Sequence, residues 1–378
     1  MKITRDDINE YLKYNYQEKS SSDIYNDFTY LLNDLYNIYN VTNLSEKYVI
    51  KHLVNEYIEK CKHINIKEQK LEKLKQLELP EQRSPEWYAL RKNCLTASSL
   101  ASALDKCHFT SRDELIYDKI VEKPYESNPI TEWGVKYEDV AIQFYEELYN
   151  VKVLDFGLVP HPHFPCFGAS PDGICDKGND EYVARMVEIK CPPKRKFTKS
   201  VPEHYWMQMQ GQLEVCDLDE CDFFQVKLEE YESYNDYCKD IFINENDNTK
   251  IEYRTNLNFP KGVTITYKKN DKLSYTYCPF NKSNEWYQEW ITKQDQENIF
   301  EIKWWRIERY ENTLVKRDKE WWSSMVEEIL KFSNDLEFYK KSENLEILKQ
   351  RVEESKKKKT KFVEPLTDFM LVSDEEDN

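Results

Sequence analysis

The segment Ser170-Pro171-Asp172-Gly173 is followed by Val187-Glu188-Ile189-Lys190, with fifteen residues between Asp172 and Glu188. An acid stands ahead of a turn. Beyond it, an acid and a lysine alternate in an apolar run. In a strand, residues i and i+2 share a face, so Glu188 and Lys190 point the same way. If the flanking strands pair, Asp172 comes to lie beside Glu188. Two carboxylates and a main-chain carbonyl, here that of Ile189, suit a hard divalent cation such as Mg²⁺, with Mn²⁺ as a substitute. Such an ion lowers the pKa of bound water and stabilises charge on a phosphate. Lys190 would position or deprotonate that water, or hold the phosphate. Glu138, on a helix ahead of the strands, adds a third carboxylate. Gln208, Gln210 and Gln212 follow on a later helix, where Gln208 and Gln212 share one face. Asp-Gly alone is a common turn pair, and Glu-x-Lys alone is an ordinary exposed-strand pattern. Their conjunction, with Glu138 before and the glutamines after, is what points to a site.

The elements that must position these residues are legible in outline. Residues 1–80 read as helical, with apolar positions three and four apart in NDFTYLLNDLYNIYN and SEKYVIKHLVNEYIEKC. These stripes are read as core. Ser20 to Asp23 suits a turn and N-cap, and Pro80 ends the helix before it. EWYALRKNCLTASSLASAL predicts a helix, a turn and a second helix capped by Thr96 or Ser98. An amphipathic helix follows Pro129. VKVLDFGLVPHP, GICDK, YVARMVEIKC and CDFFQVKLEEY read as strands, and PEHYWMQMQGQLEVC as a helix. Residues 229–299 read as an insertion bearing a hairpin, with a helix in NEWYQEWITKQDQ. FEIKWWRIERYE predicts a strand, and one long helix runs from Lys316 towards Glu354. The domain reading is 1–80 helical, 81–345 catalytic, and 346–378 a charged tail. Its Lys356 to Lys361 run suits a localisation or DNA-binding arm, and its acidic end a partner-docking peptide.

Composition excludes several classes. The 378 residues carry a net charge of −16 and only seven glycines, all between Gly134 and Gly262. No GxGxxG loop exists, and the nearest approach to a phosphate loop, Gly173 to Gly178, is followed by Asn179 where lysine is required. Gly168-x-Ser170-x-Asp172 misses the serine-hydrolase elbow by its last residue. None of the ten cysteines forms CxxC, which argues against a zinc ribbon, a redox motif or a disulfide scaffold. His161-Pro162-His163 with Cys166 is read as loop packing rather than a zinc site, since second-half ligands are missing. No apolar run approaches the length of a membrane span, and the N-terminus shows no secretory signal. An intracellular location follows, in the cytoplasm, a viral replication site or the nucleus. In this acidic chain, Lys194, Arg195, Lys196 and Lys199 form a basic run next to the proposed site, which favours contact with a DNA backbone. Trp304-Trp305 and Trp321-Trp322 are read as core rather than as base-stacking residues.

The order PD…ExK with an upstream Glu resembles the PD-(D/E)xK nuclease superfamily. Arg83-Ser84-Pro85-Glu86-Trp87, Leu90-Arg91 and Leu95-Thr96-Ala97-Ser98 resemble the opening motif of its YqaJ-like, lambda-type exonuclease family. Gly134-x-x-x-Glu138, Gly168-x-Ser170-Pro171-Asp172-Gly173, Glu188-Ile189-Lys190-Cys191-Pro192 and Tyr205-x-x-Gln208-x-Gln210-Gly211-Gln212 follow in the family's order. The resemblance covers 82–228 well and 300–345 weakly, and the layout is similar to versions from large DNA viruses. It implies an α/β, restriction-endonuclease-like core, a mixed central sheet flanked by helices, behind a helical N-terminal region. It implies Asp172, Glu188 and the Ile189 carbonyl as metal ligands, with Glu138 approaching the metals directly or through water. Lys190 would be the catalytic lysine and Gln208 a supporting residue, with Gln212 second to it. Arg91, Ser98 and Ser170 would form a 5′-phosphate pocket. The implied activity is a Mg²⁺-dependent exonuclease running 5′→3′ on linear double-stranded DNA, in recombination or end processing. A single-strand-annealing protein is the implied partner, and a homo-oligomer is compatible with it. The competing readings are a structure-specific endonuclease with the same site and a catalytically idle DNA-binding protein. RNA as a substrate stays open.

Overall fold

The computed structural model describes residues 4–16, 27–121, 128–194, 197, 200–269 and 272–362, with side chains through Lys356. The chain divides into Met1–Leu77 with Asp176–Ala184, and Glu78–Cys175 with Arg185–Asn378.

Among the described residues, the first unit holds three helices, Arg5–Tyr16, Phe28–Ile38 and Leu44–Lys75. Asn43 starts the third by accepting from the Glu46 N–H. The stripes read as core do form one: Ile8, Leu12, Leu31, Leu35, Val54 and Ile58 are almost fully buried together. The turn expected at Ser20 to Asp23 lies outside the described residues.

The second unit carries the sheets. Its strands are β1 (Leu95–Thr96), β2 (Lys152–Leu154), β3 (Val159–Pro160), β4 (Phe167–Ala169), β5 (Gly173–Lys177) and β6 (Met186–Lys190). They continue as β7 (Glu220–Glu230), β8 (Phe242–Ile243), β9 (Lys250–Ile251), β10 (Lys261–Lys269), β11 (Lys272–Tyr277) and β12 (Ile299–Lys316). Seven strands make the main sheet in the order β11-β10-β12-β7-β6-β5-β2. β6 and β7 pair in parallel, and β5–β6, β7–β12, β10–β12 and β10–β11 are antiparallel. The parallel pair needs a crossover, which the Glu203–Val215 helix provides. β7 sits at the centre, and its near-continuous apolar run Phe223, Phe224, Val226 and Leu228 is buried on both faces. The Pro129–Tyr149 helix lays Phe144 and Tyr145 on Phe224, with ring centroids 5.9 and 5.1 Å away. Asn128 caps that helix, Pro129 opens it, and Asn150 closes it in the left-handed region. The expected mixed central sheet flanked by helices is thus present.

Several elements differ from the sequence reading. The turn between the first two helices of this unit is instead the short strand β1, paired in parallel with β4. Neither Thr96 nor Ser98 caps a helix by its side chain, because the two hydroxyls bond each other at 3.2 Å. VKVLDFGLVPHP splits into β2 and β3, which join different sheets. The segment read as an insertion supplies β10 and β11, two strands of the main sheet. The long C-terminal helix is two, Lys319–Tyr339 and Ser342–Phe362. The second occupies residues 346–362 of the segment read as a charged tail, with Leu348 and Val352 buried. Residues 363–378, with the acidic end, lie outside the described residues.

One close approach organises the entry to the site. A Cβ added at Gly157 would stand 2.0 Å from the Pro80 carbonyl oxygen. Beside it, the Gln82 amide donates to Asp155 Oδ1 (3.0 Å) and to the carbonyls of Phe156 (2.9 Å) and Pro171 (3.2 Å). This ties the chain ahead of Trp87 to the chain ahead of Asp172. Gly157→Ala is expected to cost about 1–3 kcal/mol, because backbone and not a flexible side chain must move. A thermal melt of the variant checks it.

Candidate active site

The β5–β6 pairing, with Gly173 opposite Val187 and Ile174 opposite Met186, carries Asp172 to the neighbourhood of Glu188. Asp172 lies in the link between β4 and β5, not at the end of a strand. Its Oδ2 accepts the Ile189 N–H at 2.7 Å. The N–H and C=O of one strand residue leave on the same side, so the Ile189 carbonyl faces Asp172 too. Glu188 is fully buried. Its Oε1 accepts from Lys190 Nζ and from Gln208 Nε2 at 2.7 Å, and its Oε2 accepts from Gln212 Nε2 at 2.7 Å. The two-residue strand period and the four-residue helix period both hold. Gln212, ranked second by sequence, holds Glu188 as closely as Gln208 does. Lys190 Nζ also stands 4.9 Å from the Tyr205 ring centre.

Glu138 reaches the site from the Pro129–Tyr149 helix, and Arg83 Nη2 donates to both of its oxygens at 3.1 Å. Burial pushes the Glu138 carboxyl up, and Arg83 works against that shift. Burial, reinforced by the charge of Glu188, holds Asp172 well above the usual carboxylate range, against Lys190 and the Ile189 N–H. For Lys190, burial opposes the charge, but Glu188 and Asp172 outweigh it and hold the ammonium above the ordinary lysine range. Three carboxylates thus face two cationic side chains, Lys190 and Arg83. This excess of hard oxygen charge fits a divalent cation. Among the described residues, no three His, Cys, Asp or Glu side chains form a metal cage unaided. A cation here would lean on the Ile189 carbonyl, water and substrate oxygens as well as on Asp172 and Glu188.

A second cluster adjoins Asp172 through Ser170. The helix Pro85–Asn93 starts on a Ser84 cap with Pro85 in its first turn, and places Trp87 one turn before Arg91. Arg91 Nη2 donates to Ser98 Oγ at 3.1 Å. Trp87 Nε1 donates to Ser170 Oγ at 3.0 Å, and the Arg91 guanidinium lies 4.3 Å above the Trp87 ring. The structure therefore gathers Arg91, Ser98 and Ser170. Beneath them, Lys119 Nζ donates to the carbonyls of Arg91 (2.8 Å) and Cys94 (2.7 Å).

Lys194 is exposed, while Arg195, Lys196 and Lys199 lie outside the described residues. His161 Nδ1 accepts from the backbone of His163 and Phe164, and its ring stacks on Trp322 at 5.8 Å. That is loop packing, as read. Trp304, Trp305 and Trp322 are buried. Sequence reasoning missed Arg83, Trp87 and Tyr205 as parts of the site. The four-residue spacing from Trp87 to Arg91 was a usable signal. Arg83 gave none, for it reaches Glu138 from a backbone at φ 65°.

Residues 86–219 match the YqaJ-like viral recombinase domain. That span holds Trp87, Arg91, Ser98, Glu138, Ser170, Asp172, Glu188, Lys190, Gln208 and Gln212. The chain is 29% identical over 338 residues to an uncharacterized protein of Acanthamoeba polyphaga mimivirus, covering 81% of this chain and 62% of that protein. It is 28% identical over 158 residues to a protein of African swine fever virus, covering 35% of this chain and 46% of the other. The chain thus spans less than two thirds of each of these relatives. Among solved structures, it is similar to an alkaline exonuclease from Laribacter hongkongensis, at TM-score 0.40 and 20% identity, covering 72% of this chain and 99% of that one. A phage-related exonuclease from Haemophilus somnus aligns at TM-score 0.34 and 14% identity, covering 65% and 93%. Among the described residues, no helix is long and apolar enough to cross a membrane.

Proposed function

We propose that this chain is a divalent-metal-dependent DNA exonuclease that enters linear duplexes at a 5′-phosphorylated end and runs 5′→3′. The observation that carries the reading is the convergence of Asp172, the Ile189 main chain and Lys190 on a buried Glu188 fixed by two glutamines. The match of residues 86–219 to the YqaJ-like viral recombinase domain supports the reaction class. Acting in recombination or in processing of viral DNA ends, it would work beside a single-strand-annealing protein. Residues 81–345 would form the nuclease domain, with 1–80 as a separate helical region.

Asp172, Glu188 and the Ile189 carbonyl would hold Mg²⁺, with Glu138 approaching directly or through water. When bound, the cation would supply an activated water and charge neutralisation at the scissile phosphate. Gln208 and Gln212 keep Glu188 in one orientation by occupying both of its oxygens. Lys190, bonded to Glu188, would position or deprotonate that water, or hold the phosphate. Arg91, with a planar fork, and the hydroxyls of Ser98 and Ser170 would hold the terminal phosphate. Lys194, Arg195 and Lys196 would follow the DNA backbone.

Digestion of linear duplex DNA, with and without a 5′-phosphate, beside a covalently closed circle and in Mg²⁺ or EDTA, tests this. Mg²⁺-dependent loss of the 5′-phosphorylated linear duplex with the circle spared is expected. Cutting of the circle would replace the reading with an endonuclease. Binding without cutting in any metal would replace it with an idle DNA-binding protein.

A further inference from the structure

We propose that Trp87 is the positioning residue that makes the Arg91–Ser98–Ser170 cluster selective for a phosphate monoester over a neutral DNA end. This rests on the proposed function, and it adds a residue to which that reading gives no role.

The argument starts from hydrogen-bond capacity. A serine hydroxyl has one proton and two acceptor lone pairs. The Trp87 indole can only donate, and it donates to Ser170 Oγ at 3.0 Å. One acceptor site of Ser170 is thereby filled, and its own proton is left to be given away. Ser98 Oγ accepts from Arg91 at 3.1 Å and is bonded to Thr96 Oγ1 at 3.2 Å as well, so the free proton is that of Ser170. A hydroxyl donor beside the Arg91 guanidinium is a pair that prefers an anion. A terminal 5′-hydroxyl offers a single oxygen and no charge.

Geometry gives Trp87 a second hold. Arg91 lies one helical turn on, with its guanidinium 4.3 Å above the indole. Stacking on the ring restricts the plane of the fork while leaving its edge free for a bidentate contact. Trp87 is itself fixed, being only 9% exposed, with its backbone N–H bonded to the Ser84 hydroxyl. It packs with Cys94 and Leu158. Lys119 secures the far end of the same helix through the Arg91 and Cys94 carbonyls. One side chain therefore sets the proton of Ser170 and the plane of Arg91 together.

Trp87→Phe separates the two holds, because phenylalanine keeps a ring under Arg91 and lacks the N–H. The test measures binding of 5′-phosphorylated and 5′-hydroxyl duplexes in EDTA, and their cleavage in Mg²⁺, by wild type, Trp87→Phe, Ser170→Ala and the double variant. The wild type is expected to prefer the phosphorylated end. Trp87→Phe should lower that preference about fivefold, the worth of roughly one hydrogen bond, through KM rather than kcat. In the Ser170→Ala background the same change should do much less, since Trp87 acts through that hydroxyl. An equal loss on both ends, or full additivity with Ser170→Ala, would overturn the proposal by making Trp87 a packing residue only. A wild type without preference for the phosphate would overturn it as well. If the wild type prefers the phosphorylated end in EDTA but cuts nothing in Mg²⁺, the exonuclease reading fails while this one stands.

Discussion

Asp172→Asn is expected to abolish cleavage, by at least ~10³-fold, and at the same time to raise the melting temperature of the metal-free protein. The two effects share one cause. Asp172 is buried beside the fully buried Glu188, and burial together with that charge works against its carboxylate. Asparagine keeps the oxygen that accepts the Ile189 N–H, so the local hydrogen bond survives. It removes one of three negative charges, and the folded state no longer confines like charges away from water. Activity falls because a neutral amide oxygen is a poor substitute for a carboxylate in holding Mg²⁺. Calorimetry with and without Mg²⁺ checks both parts. The wild type should gain stability on adding Mg²⁺, as anything that binds only the native state stabilises it, and Asp172→Asn should gain little. A variant that melts lower than the wild type in EDTA would show that the site is not held under charge strain.

That trade-off marks what the sequence could disclose. Asp172, Glu188 and Lys190 were legible because the strand period of two and a strand–turn–strand layout constrain where their side chains go. Gln208 and Gln212 were legible for the same reason on a helix. The seven-stranded sheet was less so. Residues 229–299 are rich in tyrosine, asparagine and charge, and their strands β10 and β11 lie at one end of the sheet order, where apolar patterning is weak. They looked like an appendage. β12 was visible as far as Glu311, and its last residues, Asn312 to Lys316, were not, since they mix polar and apolar positions ahead of the helix and Lys316 was read as the helix start. The break after Tyr339 was hidden because Lys340 and Lys341 are good helix formers. Arg83 stood in the quoted motif, but its role was not legible, because no local pattern announces a positive φ at an arginine. Its partner Glu138 lies 55 residues away. What pattern recovered were residues whose chemistry stands out at a regular spacing. What it missed were Arg83, Trp87 and Tyr205, whose part in the site lies in contacts between elements far apart in the chain.

The buried tyrosines and thiols set a ceiling on the pH the fold withstands, with unfolding expected near pH 11. Tyr145, Tyr237 and Tyr287 are fully buried, and burial drives their hydroxyls far above 10. Cys175, Cys216 and Cys278 are almost as enclosed, and burial pushes each up to about 12. Each group has a higher pKa folded than unfolded. Its stabilising contribution is therefore intact below its unfolded value, near 9 for a thiol and 10 for a tyrosine, and drains away above it. Each costs about 1.4 kcal/mol per pH unit in that range. By pH 11 the three thiols over two units and the three tyrosines over one remove about 13 kcal/mol. Two lysines run the other way. Burial holds Lys119 and Lys261 down at about 8, so between 8 and 10.5 the unfolded chain carries their protons and the folded chain does not. They offset up to about 7 kcal/mol over that window. Tyr137, Cys191 and Cys221 are buried and raised in the same sense and add to the loss, so above pH 10 the balance turns against the folded state. Stability should thus hold or rise slightly from pH 8 to 9 and collapse above 10. Tyrosinate absorbance and far-ultraviolet circular dichroism, followed together, check the sign. Ionisation of the buried tyrosines should appear in the same step as loss of helix, and tyrosinate formation well ahead of unfolding would mean that these rings are reached by solvent in the native fold.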